Sequence, residues 1–121
     1  MGRVPGHSKL GAKLQSHVKK LFECCDIPLR ECAGSGNQHR SDSDLTNRTL
    51  QIECKARTLP DGINMPNKAD WKKLKGEASG ANRMPLLITS GREDIERGDV
   101  LVTLKLHTLL YLMRGVSNAD W

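Results

Sequence analysis

The sequence predicts one α/β domain in which a small mixed β-sheet is flanked by helices. Stretches with apolar residues at three- and four-residue spacing, typical of helices, alternate with shorter stretches in which apolar residues are continuous or recur at every second position, typical of strands. The chain has 121 residues, which suits a single core. We therefore expect residues 1–121 to form one domain, with its core over about residues 8–113 and with loose tails.

The first half of the chain predicts a helix, a short strand and a hairpin. The helix is predicted over residues 8–25 from the spacing of apolar residues such as Leu14 and Val18. Ser8 is its expected N-cap, and Pro28 is expected to follow its end. The remaining predictions of this half are a strand at 29–33, a glycine-containing loop at 34–41 and a β-hairpin at 42–55.

The second half of the chain predicts a helix, two strands and a short closing helix. Trp71, Leu74 and Ala78 share one side of the helix predicted over residues 67–78, and Gly80 is a natural stop. The continuous apolar run after it is typical of a buried strand, and a later alternating stretch predicts another strand. These last elements are predicted over residues 84–90, 100–106 and 107–114.

The hairpin carries charged residues on one face. A period of two buries Ile52 and Cys54 and places Glu53 and Lys55 together on the other face. A two-residue turn at residues 47–48 would make Asp44 a diagonal neighbour of Glu53, with roughly 7–8 Å between their backbones. A slip of one residue would turn Asp44 to the apolar face, so burial restricts the register.

This arrangement suits the metal-dependent cleavage of a phosphodiester. Carboxylates bind Mg²⁺, which neutralises charge on the phosphate and produces hydroxide near neutral pH, and a nearby lysine stabilises the developing charge. Asp44, Glu53 and Lys55 supply these groups, and the backbone carbonyl of Cys54 is a further candidate ligand. The alternative is that these charged residues only decorate an exposed hairpin, because a bare D…E-x-K pattern is frequent.

Composition favours a polyanionic partner. The net charge is +5 and the aromatic content is 3%, so single-strand binding by base stacking is a poor fit. No apolar run reaches the length of a membrane span, and the N-terminus lacks the apolar core of a signal peptide, so a cytoplasmic location without membrane contact is expected. The cysteines lack zinc-site spacing and are expected to be buried free thiols rather than disulfides: Cys24, Cys25, Cys32 and Cys54.

Over about residues 8–113 the chain resembles the PD-(D/E)xK nuclease superfamily, and within it small phage and archaeal-type Holliday junction resolvases and related phage endonucleases. The resemblance rests on Gly34-Ser35-Gly36, Ser43-Asp44-Leu45, Ile52-Glu53-Cys54-Lys55 and Pro85-Leu86-Leu87-Ile88. It implies a restriction-endonuclease-like core and DNA hydrolysis with Mg²⁺, or Mn²⁺ as a substitute. It also implies that Asp44 and Glu53 are metal ligands, that Lys55 is the catalytic lysine and that Ser35 lies near the scissile phosphate.

Two positions depart from the family pattern. Ser43 stands where the superfamily has its proline, and Gln15 stands where many relatives carry a glutamate on the first helix. The amide oxygen of Gln15 can bind a metal-bound water but brings no charge, so a second metal would be held weakly or not at all. An ordinary helix-surface role for Gln15 is an equal alternative.

The resemblance and the basic charge together predict a structure-selective, resolvase-like endodeoxyribonuclease of DNA recombination, acting on branched or double-stranded DNA. Five basic residues are predicted to contact DNA phosphates, with a solvated surface as the alternative: Arg40, Arg57, Lys68, Lys72 and Lys75. Two-fold junctions favour a homodimer, formed in part by the apolar segment 104–113. The alternatives are a restriction-like, nicking or repair nuclease with the same site, and a non-catalytic DNA-binding phage accessory protein. A phage-encoded protein would act in the host cytoplasm.

Overall fold

A computed structural model describes residues 5–32, 44–97 and 99–114, with side chains from residue 9 onward. Three α-helices and five strands lie in these ranges. The bounds are α1 Pro5–Cys24, β1 Arg30–Glu31, β2 Leu45–Thr46, β3 Leu50–Ala56, α2 Lys68–Gly80, β4 Met84–Ser90, β5 Val100–Thr103 and α3 Leu106–Met113. The predicted class, an α/β fold with a mixed sheet and flanking helices, is confirmed.

The strands form one sheet in the order β1-β2-β3-β4-β5. Neighbouring strands are antiparallel except β3 and β4, which are parallel and are joined through α2. A parallel pair needs such a crossover connection, because the chain must return to the same end of the sheet. The crossover places α2 directly over β3 and β4.

The two longer helices cover opposite faces of the sheet. Leu14 and Val18 of α1 belong to the same buried cluster as Ile52 and Cys54 of β3. Since successive strand residues point to opposite faces, Glu53 lies on the other face, where α2 packs. Complete burial of an aliphatic side chain such as Ile52 stabilises the fold by about 1.5–3 kcal/mol. The face that carries Glu53 is therefore covered by a helix rather than open to solvent.

Two expectations about the first helix were wrong: that Ser8 is its N-cap and that the cysteines at its end are buried. The helix begins at Pro5, so Ser8 lies inside it and is not the N-cap. Proline is accepted in the first helical turn because its missing N–H has no intrahelical partner there. Cys24 and Cys25, which were expected to be buried, are exposed at the end of α1, whereas Cys54 is buried as expected. No helix in the described part of the chain is long and apolar enough to cross a membrane.

Candidate metal centre

The turn between β2 and β3 sets the register of the site. Asn47 Oδ1 accepts hydrogen bonds from the N–H groups of Thr49 (2.8 Å) and Leu50 (2.7 Å). This side-chain capping lengthens the turn, so Leu45 pairs with Ile52. The predicted register, in which Leu45 pairs with Leu50, was wrong by two residues. A shift of two keeps every side chain on its predicted face.

The corrected register brings Asp44 closer to Glu53 than predicted. Leu45 pairs with Ile52, so the next pair in the same register would be Asp44 directly opposite Glu53. The Cβ atoms of residues in directly opposed positions are roughly 5 Å apart. Asp44 Oδ2 accepts a hydrogen bond of 2.8 Å from the N–H of Cys54. Asp44 is thus fixed by the backbone of the strand that carries Glu53.

Lys55 lies beside this carboxylate pair. Its Nζ is 3.4 Å from Glu53 Oε2. The side chain of Glu53 is 17% exposed and that of Lys55 is 43% exposed, so the lysine reaches from the covered carboxylate towards solvent. The structure therefore brings Asp44, Glu53 and Lys55 together on one face of β2 and β3.

The protonation of these groups reflects burial and crowding. Burial and the neighbouring Asp44 raise the pKa of Glu53 to about 7, against the opposing effect of Lys55. Burial also raises the pKa of Asp44, although the hydrogen bond from Cys54 N–H opposes it. Burial lowers the pKa of Lys55, but the charges of Glu53, Asp70 and Asp44 and the hydrogen bond to Glu53 oppose it, and the net pKa is raised. The site favours a cation, because two half-buried carboxylates repel each other.

Cys54 contributes its backbone rather than its thiol. The side chain lies in the core under α1, and burial raises the pKa of its thiol far above the usual range, so it is not a nucleophile. The N–H and C=O of a strand residue point to the same edge. Because the Cys54 N–H reaches Asp44, its carbonyl also faces the β2 edge. The predicted carbonyl ligand is therefore on the side of the strand where Asp44 lies.

Helix α2 adds three charged residues that the sequence reasoning missed. Beyond the dominant effect of burial, the charge of Glu77 raises the pKa of Asp44 and Glu53, and the charge of Lys73 lowers that of Asp44. The charge of Asp70 raises the pKa of Lys55. Residues three and four positions apart share one side of a helix, so Asp70, Lys73 and Glu77 lie on one flank of α2. Charged residues at this spacing in a helix directly after the hairpin were the sequence pattern that could have predicted them as part of the site.

The basic residues predicted on α2 do not all face this site. Lys68 and Lys72 are exposed on the outer side of the helix. Lys75 lies on the other flank, with its Nζ 5.9 Å from the centre of the Trp71 ring. Lys75 also lines a cavity of about 230 Å³ together with Lys105, His107 and Thr108. Of the α2 lysines, Lys73 is the one whose charge reaches Asp44.

The remaining predicted residues have different positions. Arg57 is exposed just beyond β3. Gln15 is half-buried on α1, which packs against the face of β3 opposite to Glu53, and within the described ranges no hydrogen bond joins it to Asp44, Glu53 or Lys55. Ser35 and Arg40 lie outside the described residues. The roles of these residues stay predictions.

A polar cavity of about 340 Å³ adjoins Lys55 at the end of β3. Asn64, which the sequence reasoning also missed, is 8% exposed and donates hydrogen bonds of 3.3 Å to the carbonyls of Lys55 and Ser90. Thr89, the neighbour of Lys55 on β4, lines the same cavity. Asn64 thus fixes the loop that leads from β3 into α2 and holds the cavity beside the lysine.

The donor set fits one hard divalent cation. Asp44, which directly precedes β2, and Glu53 of β3 supply two carboxylates, and the Cys54 carbonyl supplies a neutral oxygen, all of which are ligand types that Mg²⁺ accepts. Among the described residues there is no cluster of three or more His, Cys, Asp or Glu side chains arranged to hold a metal. With these protein oxygens as ligands, an ion bound here would take its remaining ligands from water or substrate oxygens.

Comparison with known proteins finds no matching family model, no matching curated protein and no matching solved structure. The fold and the site define a small α/β domain with two carboxylates and a lysine on one face of a mixed sheet.

Proposed function

We propose that this protein is a Mg²⁺-dependent endodeoxyribonuclease with a restriction-endonuclease-like core. The observation that carries the proposal is the Asp44–Glu53 pair with Lys55 beside it: two half-buried carboxylates, one directly before β2 and one on β3, of which Glu53 has a pKa raised to about 7. Such a pair costs free energy when both members are ionised, and a bound cation removes that cost. The E-x-K strand and the preceding aspartate are the arrangement that the PD-(D/E)xK resemblance implies.

Each residue has a defined task in this proposal. Asp44, Glu53 and the Cys54 carbonyl would hold the ion, which when bound supplies charge neutralisation at the phosphate and a more acidic water. The hydrogen bond from Cys54 N–H keeps the Asp44 carboxylate oriented. Lys55 places a positive charge next to Glu53, where it stabilises charge that develops on the phosphate. Asp70 and Glu53 keep that lysine protonated.

The proposed substrate is branched or double-stranded DNA, with a resolvase-like preference for junctions. Two cuts in a two-fold junction require two active sites, which a homodimer provides. Helix α3 exposes Leu106 (72%), Leu110 (53%) and Tyr111 (51%), and these apolar side chains are the proposed contact. Sedimentation at micromolar protein should show a dimer that Leu110→Glu converts to monomer. A strict monomer in the wild type would contradict the dimer.

The decisive experiment combines a substrate panel with paired variants. Wild-type protein with Mg²⁺ or Mn²⁺ is assayed on duplex, nicked, flap and four-way DNA. Glu53→Ala and Lys55→Ala should lower cleavage by at least about 100-fold, the scale for the loss of one catalytic electrostatic group. The matched controls are Glu23→Ala and Lys19→Ala, which alter an exposed ion pair of 2.9 Å on α1 and should leave cleavage unchanged.

The outcomes separate the alternatives. Preference for four-way DNA supports a resolvase, whereas preference for a nick, a flap or a sequence-specific duplex supports a repair, nicking or restriction-like role of the same site. Salt-sensitive DNA binding with no cleavage under either metal supports the non-catalytic DNA-binding alternative. Wild-type cleavage by both Glu53→Ala and Lys55→Ala would refute the assignment of the site.

A further inference from the structure

A cavity of about 490 Å³ lies at the hairpin end of β3, away from Lys55. Three arginines from different parts of the chain line it: Arg30 of β1, Arg48 of the turn and Arg83 before β4. Pro28 and Leu29 contribute apolar surface. Among the described residues that line the cavity there is no aspartate or glutamate. Three arginines in the lining and no lining carboxylate give the cavity a positive charge that favours an anion.

Two hydrogen bonds hold parts of this arginine pocket (Arg30, Arg48 and Arg83) in place. Arg83 Nη1 donates to Gln51 Oε1 across 3.1 Å, and Gln51 is 5% exposed. Asn47 Nδ2 donates to the carbonyl of Pro28 across 3.2 Å. The Arg48 turn is thereby tied to the segment that leads into β1. A pocket that is built before its ligand arrives loses less entropy on binding.

The arginine pocket includes residues on the face of the sheet that carries the carboxylate pair, since Arg30 pairs with Thr46. Thr46 lines the pocket and is two residues from Asp44, and Gln51 is two residues from Glu53. A period of two puts each of these pairs on one face, with rows roughly 7 Å apart along the strands. The arginine pocket therefore lies about one such step along the strands from the carboxylate pair, which is close to the spacing of successive phosphates on a DNA strand.

We propose that the arginine pocket binds a backbone phosphate of DNA that flanks the scissile phosphate. This inference rests on the proposed function, because it takes DNA as the ligand. A guanidinium fork matches a phosphodiester and does not depend on the base, so the pocket sets the position of the DNA strand over Asp44 and Glu53 without reading its sequence. Arg30, Arg48 and Arg83 were not among the DNA contacts predicted from the sequence.

The test measures DNA binding without cleavage. Fluorescence anisotropy with labelled duplex DNA, in EDTA and across a salt series, gives the slope of log K against log salt. Arg30→Ala/Arg48→Ala replaces two exposed arginines and leaves the Arg83–Gln51 hydrogen bond intact. We expect this variant to reduce the slope by up to about one, because one phosphate contact accounts for about 0.9. The matched control, Arg97→Ala/Arg114→Ala, removes the same charge from two exposed positions elsewhere.

The reduction should be the same for duplexes of different sequence. An unchanged slope, a slope reduced equally by the control, or no DNA binding by the wild type would overturn the proposal. A loss that depends on sequence would mean that the pocket reads bases and would also overturn it. Competition by a free nucleoside monophosphate as effective as that by duplex DNA would assign the pocket to nucleotides instead.

Cleavage assays separate this inference from the proposed function. If the slope falls as expected but no cleavage occurs, the pocket is a DNA-phosphate site on a non-catalytic protein. If Glu53→Ala abolishes cleavage while the arginine variant leaves the slope unchanged, the nuclease proposal holds and the arginine pocket does not.

Discussion

The carboxylate of Asp44 accepts a hydrogen bond of 2.8 Å from the backbone N–H of Cys54, the residue between Glu53 and Lys55. One contact thus fixes an acidic side chain against the strand that carries the other two groups of the site. The contact also gives the Cys54 N–H of β3 a partner, because β2 ends before it could supply a backbone carbonyl there. The same Asp44 oxygen therefore orients the carboxylate and satisfies a partly buried donor.

Two substitutions at Asp44 should separate these roles. Asp44→Asn keeps an oxygen that accepts from Cys54 N–H but loses the charge, whereas Asp44→Ala loses both. We expect both variants to lose at least about 100-fold in Mg²⁺-dependent cleavage. We expect only Asp44→Ala to lose stability, by roughly 1–3 kcal/mol for an unsatisfied donor, as measured by urea denaturation. Wild-type cleavage by Asp44→Asn would show that the charge is not required.

Glu53 should make stability fall as the pH rises. Its pKa is raised from 4.5 to about 7, mainly by burial and then by Asp44, so between these pH values the folded protein holds a proton that the unfolded chain has released. The free energy of unfolding therefore decreases through this window and stays lower above it. The full shift of the Glu53 pKa corresponds to roughly 3–4 kcal/mol, at about 1.4 kcal/mol per pKa unit.

Glu53→Gln removes this titration and is the corresponding variant. In EDTA it should match the wild type near about pH 4 and exceed its stability by roughly 3–4 kcal/mol near about pH 8. Mg²⁺ should stabilise the wild type at the higher pH and leave Glu53→Gln unchanged. Urea denaturation across this range measures both effects, with Glu23→Gln as an exposed control. Parallel curves for wild type and Glu53→Gln would contradict the raised pKa.

The two flanks of α2 should contribute unequally to the affinity for DNA. Lys73 lies on the flank of Asp70 and Glu77, and its charge reaches Asp44, whereas Lys75 stacks against Trp71 on the other flank. We expect Lys73→Ala to weaken duplex binding and reduce the salt slope by about one, and Lys75→Ala to leave both nearly unchanged. The same loss of charge in both variants makes them mutual controls. A larger effect of Lys75→Ala would place the DNA on the other side of the helix.

Two glycine substitutions should change stability in opposite directions. A Cβ at Gly91 would lie 2.6 Å from the Gly62 carbonyl carbon and 2.8 Å from the Ile63 nitrogen, both backbone atoms. Gly91→Ala should therefore lower the free energy of unfolding by about 1–3 kcal/mol and lower cleavage, because it displaces the loop that carries Asn64.

Gly76 of α2 has nothing within 4 Å of an added Cβ, so Gly76→Ala should raise the free energy of unfolding by about 0.5–1 kcal/mol. Thermal unfolding measures both, and a neutral Gly91→Ala would contradict the close approach of the two loops.

Local pattern predicted much of the fold. The strand predicted at residues 84–90 is observed as Met84–Ser90, because a continuous apolar run buried on both faces has few other solutions. The second helix was predicted at 67–78 and is observed as Lys68–Gly80, with the Asn67 side chain capping it. The last strand ends at Thr103 rather than at 106, and α3 begins at Leu106. Ends of elements depend on capping contacts that periodicity does not describe.

By itself, the sequence determined the α/β class. It also determined which side chains of β3 share a face, and hence that Glu53 and Lys55 lie on the same face, because side-chain alternation is a local property of an extended chain. Only the tertiary structure decided that Asp44 lies opposite Glu53, since the Asn47 side chain sets the turn and shifts the pairing by two residues. It also decided that α2 covers this face with Asp70, Lys73 and Glu77, and that three distant arginines share a pocket. These relationships come from the packing of separate elements, which no local spacing specifies.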